Sequence, residues 1–318
     1  MKRKPRIRPS ILFFLLVTVY WLLVTNMCLA MSHTIAVLKT RSLPVYENAL
    51  QQIKEELKKN KFIVYDLEGN KAKEEAIFSN LRRQKVDLIL SFGTLATQVA
   101  KEKEKVVPIV FTYVLNPVAS GLLSELGPTK TNLTGVALDI PIEEEFSNFK
   151  LVVPTLKTIA VIYSPKETGI IVEKANAVAA KMKLVLKPIP ISDSSEVPQK
   201  LELLKDADGL WMTADSVVFT PRNTEYIILY TLKEGIPFMG ASEEFVKAGA
   251  LCGKALDLET INKQTAELVK TVLAGKNSGE IPIATPAKVD LVLNAHTAEI
   301  INLPLSSAAL KQAKVVFK

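Results

Sequence analysis

The chain has 318 residues, 48% of them hydrophobic and 23% charged, which excludes a disordered polypeptide and suits two folded domains. Its net charge of +7 is concentrated at the start, where Lys2, Arg3, Lys4, Arg6 and Arg8 stand with no acid among them. The remainder carries 35 basic against 33 acidic residues, too even a balance for a nucleic-acid binder, so no nucleic-acid partner is expected.

The basic start runs into ILFFLLVTVYWLLV (Ile11–Val24) and then the more polar TNMCLA (Thr25–Ala30). A positive segment, an apolar segment and small residues before a cut read as a signal peptide over residues 1–30, with cleavage after Ala30. Two alternatives stay open. The run Ile11–Leu29 is nearly long enough for an uncleaved anchor. Cys28 could be a lipoprotein cysteine, although Asn26 and Met27 are larger and more polar than such sites prefer. All three readings put the folded part in the periplasm or otherwise outside the cytoplasm. Cleavage would leave Cys252 alone, so no intramolecular disulfide is expected, and its setting AGALCG reads as a buried structural thiol.

Beyond the leader, strand and helix patterns alternate. HTIAVL (His33–Leu38) is a strand, and PVYENALQQIKEELKK (Pro44–Lys59) has apolar residues at 46, 49/50, 53 and 57, a helical period. FIVYDL, the helix KAKEEAIFSNLRRQ, the strand VDLILSF, a helix after Gly93 and VPIVFTYV continue the series. TNLTGVALDIPIEEEFSNFKLVVP (Thr131–Pro154) reads as a crossover into a second series. That series runs from TIAVIYS through ETGIIVEKANAVAAKM, LVLKPIP, VPQKLELLKDA, DGLWMTA and the helix Asn223–Glu234 to IPFMGA. A second crossover is expected at AGALCGKAL, followed by the helix Leu258–Lys276 and the strand KVDLVLN. This order predicts an α/β protein of two Rossmann-like lobes, each with a parallel sheet, joined by a multi-crossover hinge with a cleft between them.

Chemistry for catalysis is sparse. The two histidines are His33 and His296, and the sequence has no G-x-S-x-G elbow, H-E-x-x-H motif or G-x-G-x-x-G fingerprint. GPTKT (Gly127–Thr131) lacks the leading glycine of a phosphate loop, and the run Glu143–Glu145 opens a helix, where carboxylates favour the dipole. No enzyme activity, metal or cofactor is expected. Ligands of open α/β sheets bind beyond the carboxyl ends of the strands, which selects Ser42, Gly93, Thr94, Tyr113, Asn116, Asp215, Ser216 and Ser242 as candidate binding residues. Local roles compete at several of these. Ser42 and Thr94 serve equally as helix caps, Asn116-Pro117 as a turn, and Asp215 as the cap of the following helix. Tyr46, Tyr113, Phe219 and Phe245 could wall an apolar pocket or simply pack.

Several stretches fall in one familiar order: SFGTLATQVA, VPIVFTYVLNPVASGLL, NLTGVALDIPIEEEFSNFKLVVPTLKTIAVIYSP, DGLWMTADSVVFTP, IPFMGASEEFVKAGALCG and IPIATPAKVDLVLNAHTAEIINLPL. In this series the chain resembles, over nearly all of residues 33–318, the ABC-transporter substrate-binding proteins related to the tryptophan/tyrosine-binding component. The resemblance implies the type I periplasmic-binding-protein fold, with one lobe from 33–139 plus 256–284 and the other from 140–255 plus 285–318. It further implies a monomeric receptor whose lobes close on a small molecule, an amino acid or aromatic compound, and present it to a membrane permease. The family's carboxylate contact maps to Gly93-Thr94 and its acidic ammonium contact to Asp215. Departures are Asn116-Pro117 for the usual Asp-Pro, Asp215-Ser216 for Asp-Asn, and Ala241-Ser242-Glu243-Glu244 for Ser-Asp-Glu-Gly. A bi-lobed sensory module working with a membrane receptor or kinase is the alternative reading.

Overall fold

Two twisted sheets, each covered by helices, account for the chain in a computed structural model that describes residues 32–318; the expected leader lies outside the described residues. The first lobe is built from β1 (Thr34–Lys39), α1 (Pro44–Glu56), β2 (Lys61–Asp66), α2 (Glu74–Gln84), β3 (Leu88–Phe92), α3 (Thr94–Lys103), β4 (Ile109–Val114) and β5 (Leu133–Ala137). Its sheet runs β2-β1-β3-β4-β5, all pairs parallel. Every residue of β3 is buried, as expected for a central strand with helices on both faces. Pro44 opens α1, where its missing N–H costs nothing.

The second lobe comprises α4 (Ile142–Val152), β6 (Thr158–Tyr163), α5 (Pro165–Lys181), β7 (Val185–Pro190), α6 (Val197–Lys200), β8 (Gly209–Trp211), α7 (Pro221–Glu234), β9 (Phe238–Met239), α8 (Glu243–Ala248) and β10 (Cys252–Leu256). The chain then returns to the first lobe for α9 (Leu258–Leu273). It comes back for β11 (Val289–Asn294), α10 (Ala295–Ile300), α11 (Ser307–Gln312) and β12 (Ala313–Phe317). The second sheet has the order β12-β11-β10-β9-β8-β6-β7, so β7-β6-β8-β9-β10 repeats the winding of the first sheet. Cys252 lies fully buried in this lobe as a free thiol, and burial pushes its pKa up.

Two strands depart from the expected parallel sheets: β11, and β12, which pairs parallel to it. β11 runs antiparallel to β10, with Leu256 opposite Val289 and Cys252 opposite Leu293. The reason is the hinge. β10 leaves the second lobe at Leu256 and β11 enters it at Val289, so two neighbouring strands using one gateway must point in opposite directions.

The helix α9 belongs to the first lobe by packing. Ala266, Val269 and Val272 share a core with Ala49, Leu50 and Ile53 of α1, and the Asp257 carboxylate caps α9 through the Thr260 N–H at 3.0 Å. The chain therefore passes between lobes three times: after β5, after β10 and before β11. The second and third passages are tied by the Lys288–Asp257 ion pair at 2.5 Å. Among the described residues no helix is long and apolar enough to cross a membrane.

Candidate functional site

At the strand ends of the first lobe, Thr40 holds the turn after β3 to the end of β1. The Thr40 hydroxyl donates to the Phe92 carbonyl (3.0 Å) and accepts from the Ala96 N–H (3.1 Å), seating the start of α3. Ser42 is exposed. It accepts from Lys39 Nζ (2.9 Å) and donates to Asp66 (2.7 Å), and the N-cap position of α1 belongs to Leu43 without a side-chain bond. Gly93 has φ +84° and ψ 166°, a region that side chains all but exclude. A Cβ there would stand 2.6 Å from the Tyr46 hydroxyl and 2.8 Å from Thr40 Oγ1. Thr94 follows, half-buried, as the first residue of α3.

Tyr113 is buried among aromatic neighbours. Its φ is +57°, unusual for a bulky side chain, and it coincides with a register shift between β4 and β5. The ring stacks on Phe92 (centroids 6.0 Å apart) and meets Tyr46 edge-on (5.5 Å), while the hydroxyl donates to Asn262 of α9 at 3.1 Å. Burial pushes the phenol up to about 12. Asn116, also at positive φ, donates its N–H to Asp139 Oδ2 at 2.9 Å.

In the second lobe Asp215 is 2% exposed and its carboxylate is saturated from within. Oδ2 accepts from the Ser164 N–H (2.7 Å) and the Thr168 hydroxyl (2.6 Å), and Oδ1 from the N–H groups of Val217 and Val218, both at 3.1 Å. Ser216 is exposed and engaged by Glu167 through both its N–H (3.0 Å) and its hydroxyl (3.1 Å). Ser242 occupies the N-cap position of α8 and donates to Glu244 at 2.5 Å. Phe219 and Phe245 pack with Phe238 in the core beneath.

A cavity of about 740 Å³ opens between the lobes beside the hinge. Of the eight candidate residues it takes in Asn116 and Ser242; Ser42, Gly93, Thr94, Tyr113, Asp215 and Ser216 lie off its walls. Leu115 and Leu138 come from the first lobe, Asp139, Ile140 and Pro141 from the first passage, and Glu145, Ile170, Trp211, Met212 and Thr213 from the second lobe. The walls are mostly apolar; Asp139 and Glu145 form a polar floor, and Glu143, Lys174 and Lys181 also line the cavity.

That floor went unrecognised in the sequence. Glu145, in the first turn of α4, accepts from Trp211 Nε1 at 3.0 Å, and Trp211 in turn meets Phe146 edge-on at 5.2 Å. Burial pushes the Glu145 carboxyl up to about 7, with the Lys254 charge and the Trp211 bond holding it down and Glu144 and Asp139 pushing the same way as burial. Asp139 is pushed up to about 6 by burial, moderated by the Asn116 N–H and the Lys174 charge. Lys254, 3% exposed, stands 3.3 Å from Glu144, and burial lowers its pKa. The only sequence signal for this cluster is the acid run Glu143–Glu145, which a helix start explains equally well.

Comparison with known proteins supports the architecture. Residues 36–317 match the family described as ABC transporter substrate binding protein. The tyrosine-binding protein of Clostridioides difficile (strain R20291) is 29% identical over 237 residues, which is 74% of this chain and 68% of that protein. The ligand-free, open structure of a substrate binding protein with adhesive properties from Clostridium difficile superposes with a TM-score of 0.76 at 22% identity, covering 90% of this chain and 99% of the other. An L-Trp complex from Streptococcus pneumoniae gives 0.62 at 20% identity, covering 90% and 100%. A conserved domain protein from Vibrio cholerae gives 0.61 at 25% identity over the same shares. With two lobes, a three-passage hinge, a cleft between them and a family match spanning nearly every described residue, the chain belongs to the ABC transporter substrate-binding protein family.

Proposed function

We propose that the chain is the extracytoplasmic solute receptor of an ABC importer, and that it captures a small aromatic amino acid or amine between its lobes and hands it to a membrane permease. The observation that carries this reading is the cavity itself. About 740 Å³ suits a small organic molecule, and its largely apolar walls come from both lobes with a few convergent polar groups at the hinge. The 29% identity to a tyrosine-binding protein supports the aromatic class. Binding of this kind needs no turnover: contacts to both lobes favour the closed arrangement, and release follows reopening.

Calorimetric titration of the purified protein with L-tyrosine, L-phenylalanine and L-tryptophan, against L-alanine and L-glutamate, tests the reading. Trp211 lines the cavity, and the other tryptophan of the chain, Trp21, lies in the leader. Fluorescence excited where tyrosine does not absorb therefore reports the cleft when L-tyrosine or L-phenylalanine is added. Saturable binding of an aromatic amino acid with a fluorescence change lost in Trp211→Phe is the expected result. Absence of binding by every aromatic compound would refute the class.

A further inference from the structure

Resting on that reading, we propose that Glu145 and Thr213, with Asp139 from the hinge, form a cation subsite at the floor of the cleft that takes the protonated amine of the ligand, and that Asp215 has no part in it. Thr213 supplies the first observation. It is 3% exposed, it lines the cavity, and its hydroxyl finds no hydrogen-bond partner among the described residues. Buried side-chain hydroxyls are nearly always bonded, so an unpartnered one facing a cavity points to a group that arrives from outside.

Glu145 supplies the second. Trp211 Nε1 occupies Oε2 and thereby orients the carboxylate, while Oε1 accepts no bond from the other described residues. Trp211 and Thr213 are two residues apart at the end of β8, so the group that positions Glu145 and the unpartnered hydroxyl sit on one short segment. Asp139 brings a further carboxylate, tethered by the Asn116 N–H. An ammonium offers three donors, and Glu145, Thr213 and Asp139 offer three acceptors. Trp211, Ile170 and Leu115 provide apolar surface for the rest of the molecule.

The charge balance selects a cation. The acids lining the cavity are Asp139, Glu143 and Glu145; behind them the buried cation Lys254 stands 3.3 Å from Glu144, with no hydrogen-bond partner among the described residues, and its charge also acts on Glu145. Lys174 and Lys181 stand exposed at the rim, where water screens them and where a ligand carboxylate would meet them. A divalent metal is the weaker occupant, because no group of three or more His, Cys, Asp or Glu side chains with metal-holding geometry occurs among the described residues. Burial raises Glu145 to about 7 and Asp139 to about 6, and an incoming ammonium would lower both, releasing protons as it binds. Asp215 offers nothing comparable, since both of its oxygens already accept two bonds each inside the second lobe.

The test uses three probes: L-tyrosine, tyramine, which lacks the carboxylate, and desaminotyrosine, which lacks the amine. Wild-type protein should bind tyrosine and tyramine and hold desaminotyrosine about 100-fold more weakly, the scale of a lost charge-assisted bond pair. Glu145→Gln, which keeps an acceptor for Trp211, should weaken both amines about 10- to 100-fold and leave desaminotyrosine unchanged. Thr213→Val should weaken both amines about fivefold while raising the Tm of the protein without ligand by about 2 °C, a pairing that a merely structural hydroxyl would not give. Thr213→Ser should retain affinity. Titration in buffers of different ionisation enthalpy should show proton release for the amines near pH 7, lost in Glu145→Gln. Tyrosine bound within twofold of wild type by both Glu145→Gln and Thr213→Val, or desaminotyrosine bound as tightly as tyrosine, would overturn the subsite alone. Failure of the wild type to bind either amine would overturn the aromatic-amine reading and the subsite with it.

Discussion

Replacing Glu145 by Gln should stabilise the protein without ligand at pH 8 much more than at pH 5. Burial carries this carboxyl from the usual 4.5 to about 7 in the folded chain. Between those values the native state holds a proton that the unfolded chain has released, so stability is full below about 4.5 and is lost as pH rises through 7. Two and a half units at about 1.4 kcal/mol each give an upper figure of about 3.5 kcal/mol. Glu145 opens on the cleft, and water there reduces the figure to about 1–2 kcal/mol, or about 2–6 °C in Tm. The groups facing Glu145 are Trp211, Glu144, Asp139 and Lys254, and all remain in the variant. Asp139 titrates in an overlapping window, so the quantity to measure is the difference in Tm between variant and wild type, taken at both pH values by calorimetry. A gain of equal size at pH 5 and pH 8, or a loss at pH 8, would refute the argument.

Two further substitutions separate structural from ligand-facing groups. Gly93→Ala should cost about 2–4 kcal/mol, since φ +84° is strained for alanine and its Cβ would press on the Tyr46 hydroxyl and Thr40; Tyr46→Phe in the same chain should recover part of the lost Tm. Asp215→Asn should cost about 2–4 kcal/mol in chemical denaturation, because an amide NH2 would face the N–H and O–H groups that now donate to a carboxylate, and the folded fraction should bind L-tyrosine within about twofold of wild type.

The sheets were legible because their strands are short aliphatic runs bounded by polar turns. LILSF stops at Gly93 and IVFTYV at Asn116-Pro117, and these patterns depend only on local sequence. The direction of β11 was not legible, because it follows from the gateway it shares with β10, a contact between segments 33 or more residues apart. Site prediction from strand ends found positions and missed partners. Asp215 puts an acid at the end of a strand, but nothing local to it announces that Ser164 and Thr168, some 50 residues earlier, donate to its Oδ2. Thr40 was passed over for the same reason, since the bond by which it seats α3 reaches 56 residues ahead to Ala96. Glu145 lay hidden in a run of three acids that any helix start would accept, and Trp211, 66 residues away, singles it out.

The distribution of polar and apolar groups in the cleft assigns different tasks to its walls and its floor. Leu115 on the first lobe is 47% exposed and Ile170 on the second is 53% exposed, and both line the cavity. Bringing such surfaces together around a ligand removes apolar area from water at about 25 cal/mol per Å², so the walls favour closure whatever apolar body lies between them. Asp139 sits on the first passage itself, and Glu145 lies in the first turn of the helix that follows it, so both acids stand close to the hinge. A recognition group near the axis meets the same ligand atom in the open and the closed arrangement and so contributes to initial capture. A recognition group at a distant strand end meets the ligand only after closure. Capture through a fixed polar floor and closure through apolar walls make identity and locking separable. Glu145→Gln should accordingly change which molecules enter, whereas Ile170→Ser should weaken tyrosine and desaminotyrosine by the same factor.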